Sequence, residues 1–170
     1  TVKQFISDND LTIYVDFIIT DITVGEYITH RCEKHKEKID KFKTFKKVDK
    51  VPGIDKIEIE IDESFNYRAY TTGKCKEYLE YEKIKVILLD ETIKKDILDK
   101  TINRALRRTK PFQKTGSHKD YGFKDVMIWE ALLNHKEIID YDKVIFFSGD
   151  DDFDNNECKE EYLKKFGKPL

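Results

Sequence analysis

The chain has 170 residues, a net charge of −2, and hydrophobic and charged fractions of 39% each. That length suits one domain, 1–170, with a real core, and no apolar run reaches membrane-spanning length, nor is a signal peptide visible. Three widely spaced cysteines, Cys32, Cys75 and Cys158, argue against a CxxC zinc site or a disulfide framework and suit a reducing cytoplasm.

Residues 2–6 fit the end of a short helix. Residues 11–19 (LTIYVDFII), rich in β-branched and aromatic side chains, read as a strand or extended segment. Thr20 or Asp21 then caps a helix running to about Lys47, with Ile28, Cys32, Ile39, Phe42 and Phe45 on one face. His35 shares that face; it and His30 read as surface or partly buried histidines rather than ligands. Val51-Pro52-Gly53 breaks the chain, and 56–61 (KIEIEI) alternates like a strand with one wet face. Residues 63–82 read as helix with a break at Thr71-Thr72-Gly73, and 84–89 (IKVILL) as a buried strand. Residues 90–108 form an amphipathic helix with Ile93, Ile97, Leu98, Ile102 and Leu106 on one side. Residues 110–121 (KPFQKTGSHKDY) are a polar, basic loop. A helix over 123–135, a continuous apolar strand over 144–147 and a last helix over 155–166, ended by Gly167, complete the pattern. Strands alternating with helices predict an α/β fold: a central parallel sheet with helices on both faces, and ligands beyond the carboxyl ends of its strands.

The acids fall where such a fold binds ligands. Asp150, Asp151 and Asp152 follow the 144–147 run, and Asp125 lies in the first turn of a helix after a loop. Crowded carboxylates need a cation or a proton to hold them together. Each acid alone also has a plain structural role, Asp150 or Asp152 as a helix cap and Asp125 as a partner of the helix dipole. Glu26 is a third point, one turn into the first long helix beside Gly25, a poor helix former whose presence suggests a close approach there. Together, three acidic points at helix starts can converge on one Mg²⁺ or Mn²⁺. Ser148 is placed to orient a ligand or water.

Charge is unevenly spread. Residues 91–124 carry a net +6 and residues 125–170 a net −6, which suits a polyanion docked beside a metal site. Arg104, Arg107, Arg108, Lys110, Lys114, Lys119 and Lys124 are candidates for holding a phosphodiester backbone, with Phe112 and Tyr121 stacking on bases. Helix-surface ion pairs are the equally weighted alternative for Arg104 and Arg107.

Three stretches resemble the PIN-domain superfamily of metal-dependent ribonucleases. They are residues 18–28 (IITDITVGEYI); Pro111-Phe112 followed by 122–129 (GFKDVMIW); and 144–153 (VIFFSGDDDF). The resemblance covers most of 11–167. It implies a three-layer PIN-like fold and an endoribonuclease whose metal-activated water attacks RNA. It maps Glu26, Asp125 and Asp150 onto Mg²⁺ or Mn²⁺ ligands and Asp152 onto a second-shell or second-metal acid. The family's first aspartate, in an Asp-Thr-Asn motif, has only a superficial counterpart in Asp16, ten residues before Glu26. The family's first strand is therefore expected before Thr1 and its last after Leu170. Open alternatives are a non-cleaving module that holds RNA or a protein, a toxin or defence nuclease kept inactive by an antitoxin-like partner, and phosphatase-type hydrolysis. By resemblance, a homodimer is also expected.

Overall fold

The computed structural model describes residues 2–45, 60–89, 91–107, 109–112, 122–149 and 152–170. The fold is α/β. In chain order it runs α1 (Val2–Asp8), a 3₁₀ turn (Leu11–Ile13), β1 (Ile18–Thr20), α2 (Asp21–Phe45), α3 (Tyr67–Tyr81), β2 (Lys85–Ile87), α4 (Glu91–Arg107), α5 (Phe123–Asn134), a second 3₁₀ turn (Lys136–Asp140) and α6 (Asn156–Phe166). The chain groups into two compact units, Thr1–Phe17 with Val24–Lys85, and Ile18–Thr23 with Val86–Leu170.

The first unit holds α1, most of α2, and α3. Ile6 of α1 and Ile28 of α2 are its buried aliphatic side chains among the described residues. The α2 stripe expected from the sequence fades along the helix: Ile28 is buried, Cys32 and Ile39 are half-buried, and Phe42 is exposed. His35 stacks flat on Tyr67, with ring centroids 3.8 Å apart, so its role here is packing. Helix α3 is capped by Asn66, whose side chain accepts from the Ala69 N–H at 2.9 Å. It runs through Gly73 without the expected break, since one glycine costs a helix only about 1 kcal/mol. The extended segment expected over 11–19 is mostly a turn, leaving only Ile18–Thr20 as strand. The expected strand at 56–61 lies almost wholly outside the described residues.

The second unit carries the two-stranded sheet β1–β2 and the main core. Trp129, Leu132 and Leu133 of α5 pack with Ile138, Phe153, and Cys158 and Tyr162 of α6. Ile18 of β1, Val144 and Phe146 close over this cluster. Helix α6 ends at Gly167, whose φ of 70° is open to glycine at little cost and lets its N–H reach the Leu163 carbonyl at 2.8 Å.

Two expectations change in this unit. Residues 144–147 form no strand, and they are not buried on both faces. Val144 and Phe146 turn inward, whereas Ile145 and Phe147 are 60% and 73% exposed. An apolar run becomes a strand only where a neighbour satisfies its backbone. In α4, Ile97 and Thr101 are buried and Arg104 is half-buried, while Leu98, Ile102 and Leu106 of the expected stripe are exposed. The inward face carries Arg104, whose charge meets the buried Glu130 and the half-buried Glu161, rather than the aliphatic row.

Candidate functional site

Asp125 enters the structure through a glycine. Gly122 sits at φ 82°, a left-handed conformation that costs a side-chain-bearing residue dearly. Its carbonyl accepts from the Val126 N–H at 3.0 Å, which starts α5 and puts Asp125 in the first helical turn, half-buried. A carboxylate is favoured there by the helix dipole.

Asp152 lies just before α6 but does not cap it. The cap is Asn155, whose Oδ1 accepts from the Cys158 N–H at 2.9 Å and whose amide donates to the Asp152 carbonyl. The Asp152 carboxylate is thereby spared the capping role that the sequence allowed it, and it pairs with the ammonium of Lys110. Asp150 and Asp151 lie outside the described residues, as do Arg108, Lys114, Lys119 and Tyr121.

Lys110 is held at three points. Its N–H donates to Glu157 Oε2 at 3.1 Å, its carbonyl accepts from Arg104 Nη1 at 2.7 Å, and its ammonium meets Asp152. Arg104 is turned inward rather than offered at the surface. Its Nε and Nη2 both reach Glu130 Oε1 at 2.9 Å, and Nη2 also reaches Glu161 at 2.6 and 2.7 Å. Trp129 Nε1 donates to the same Glu161 at 2.8 Å. The side chains of Arg104 and Glu130 are 13% and 2% exposed. Burial lowers the guanidinium's pKa, but its bonds and charges to Glu161 and Glu130 outweigh this and the net direction is upward. Of the other candidate cations that are described, Arg107 and Lys124 are exposed.

Glu26 belongs to the first unit, one turn into α2, and is half-buried. The close approach suggested by Gly25 is not made by the protein: a Cβ there would meet nothing within 4 Å among the described residues. Asp16 is paired with Lys85 at 2.8 Å.

Glu130, Glu157, Glu161 and Asp21 carry no site signal in the sequence. The first three look like surface glutamates on charged helices, and only the fold reveals their common partners. Asp21 follows β1; its Oδ2 accepts from the Leu89 N–H at 3.2 Å, and its Oδ1 is buried with no hydrogen-bond partner among the described residues. An open groove of about 480 Å³ runs beside Val144, Phe146, Phe153 and Lys159 and touches Ser148, but Asp125 and Asp152 do not line it.

A family model for the PIN domain matches residues 2–153. The chain belongs to the PIN-domain family. PIN domains are typically nucleases and generally use divalent metals. No curated protein and no solved structure matched the chain. In this PIN domain, no group of three His, Cys, Asp or Glu side chains is near enough to hold an ion among the described residues, which leave out Asp150. The donor chemistry nevertheless fits: the candidates are all carboxylates, the hard oxygen ligands that Mg²⁺ and Mn²⁺ take. The lone Oδ1 of Asp21 is an acceptor of the same kind. No helix among the described residues is long and apolar enough to cross a membrane.

Proposed function

We propose that this PIN domain is a metal-dependent endoribonuclease. The observation that carries the reading is the family match over residues 2–153, which includes every acid of the motifs. Glu26, Asp125 and Asp150 are the residues that would hold Mg²⁺ or Mn²⁺, an assignment resting on the sequence motifs. When bound, the ion supplies Lewis-acid charge at the phosphate and lowers the pKa of an attacking water.

The chain's own residues do the rest. Asp152, freed from capping by Asn155, offers a carboxylate beside Lys110. Arg107 and Lys124, with Arg108 and Lys114, neutralise the RNA backbone, and the Phe112 and Tyr121 rings suit unpaired bases. Helix α4 supports the homodimer as well: Leu98, Ile102 and Leu106 form an exposed apolar row at helical spacing.

Asp125→Asn and Asp150→Asn in the full-length protein should each lower Mn²⁺-dependent cleavage of single-stranded RNA at least about 100-fold. Unchanged cleavage in both variants would refute the assignment. Single-stranded DNA and a phosphomonoester, run beside the RNA, separate this reading from a phosphatase. Calorimetric titration with Mn²⁺ separates it from a non-cleaving module, which should take up no ion specifically.

A further inference from the structure

Arg104 lies within the basic stretch that suits RNA, yet its three side-chain nitrogens all donate to the protein. Two donate to Glu130 and Glu161, and the third donates to the Lys110 carbonyl. The fixed fork of a guanidinium can serve such divergent acceptors at once; a lysine ammonium cannot. The anchors are themselves held by the fold. Glu130 is almost wholly buried, and Glu161 is held by the indole of Trp129 in the core. Beyond the clamp, the chain turns tightly. The Thr109 N–H returns to the Arg104 carbonyl at 3.1 Å, and the Phe112 N–H to the Thr109 carbonyl at 3.0 Å. Glu157 holds the Lys110 N–H from the other side. With carbonyl and N–H both fixed, the Lys110 side chain has a set origin, and its ammonium is delivered to Asp152.

We propose that Arg104 is a positioning residue: it clamps the Lys110 main chain so that the ammonium meets Asp152, and it does not itself bind RNA. The kinetic consequence rests on the nuclease reading above; the clamp does not. A cation bonded to its protein partners in this way contributes no released counterion when RNA binds, whereas a phosphate-binding lysine does.

The test uses the full chain and three variants, Arg104→Lys, Glu157→Ala and Arg107→Gln. Glu157 is exposed, so its replacement removes the second anchor without stranding a buried charge. Arg104→Lys should lower kcat by about 10- to 100-fold through misplacement, with KM changed less than about twofold. The slope of log affinity against log salt for single-stranded RNA should stay at its wild-type value in Arg104→Lys, and fall by about 0.7 in Arg107→Gln, which removes an exposed cation. Glu157→Ala should act in the same direction as Arg104→Lys. An Arg104→Lys slope that falls like that of Arg107→Gln, or an unchanged kcat, overturns the proposal. A wild-type protein that does not cut RNA defeats the nuclease reading alone. The clamp is then decided by amide NMR: the Lys110 and Asp152 resonances should shift together in Arg104→Lys and Glu157→Ala, with faster hydrogen exchange at the Lys110 amide. Unshifted resonances overturn the clamp whatever the activity.

Discussion

The two units devote comparable lengths of chain to helices, but they bury different things. In the second, an aromatic and aliphatic cluster around Trp129 adjoins the Arg104–Glu130–Glu161 network through the Trp129–Glu161 hydrogen bond, and Arg104 and Glu130 are largely buried. In the first, the described core is thin. The ion pairs Lys43–Glu63, Lys74–Glu77 and Lys85–Asp16 lie largely in solvent, which screens them. The comparison teaches that a high charge content has two fates. Charges inside a packed shell fix geometry, and the same residue types on open helices merely solvate them.

Replacing Trp129 attacks the shell itself. Trp129→Ala should cost about 3–5 kcal/mol, measured by urea denaturation followed by circular dichroism. It also removes the donor that holds Glu161. A loss below 1 kcal/mol would put the two units on an equal footing. Ile28→Ala probes the other side and should cost about 2 kcal/mol. Trp129 is the chain's single tryptophan, so its fluorescence reports the second unit. Helical circular dichroism should be lost at lower urea in Ile28→Ala, while the fluorescence midpoint holds. Midpoints that move together would break the contrast.

A smaller effect is expected at Tyr162, buried with a hydroxyl that has no hydrogen-bond partner among the described residues. Tyr162→Phe removes the unsatisfied group and should raise stability by about 1 kcal/mol in the same denaturation assay. The smallest effect is alkaline. Burial pushes both the Cys158 thiol and the Tyr162 phenol up. Groups with raised folded pKa values keep their protons longer in the fold than in the unfolded chain. Their stabilisation is complete below the unfolded values and is lost as pH rises through the folded ones. The wild-type midpoint should therefore fall as pH passes about 9, and Cys158→Ala should flatten the onset of that fall. An unaltered pH profile in the variant would show that the thiol takes no part.

Much of the architecture was legible in the chain. Helices α2, α3, α5 and α6 lie within a few residues of their expected bounds, because caps such as Thr20, whose hydroxyl accepts from the Thr23 N–H, and stops such as Gly167 are local chemistry. The family motifs were legible for the same reason: they are short and keep their order. The burial of 144–147 was not, since a β-prone run does not reveal whether it has a neighbour. Nor was the inward face of α4. Its aliphatic row, Leu98, Ile102 and Leu106, is the stronger helical pattern, yet Arg104 turns inward.

By itself, then, the sequence determined the helix boundaries, the PIN-family motifs and the residue types available to a carboxylate site. Each of these rests on neighbours a few positions apart. Only the tertiary structure decided which charges are structural. Arg104 and Glu130 are 26 positions apart, and Lys110 and Asp152 are 42 apart. Whether a cation faces solvent or a buried glutamate depends on what the fold brings beside it, and no local pattern records that.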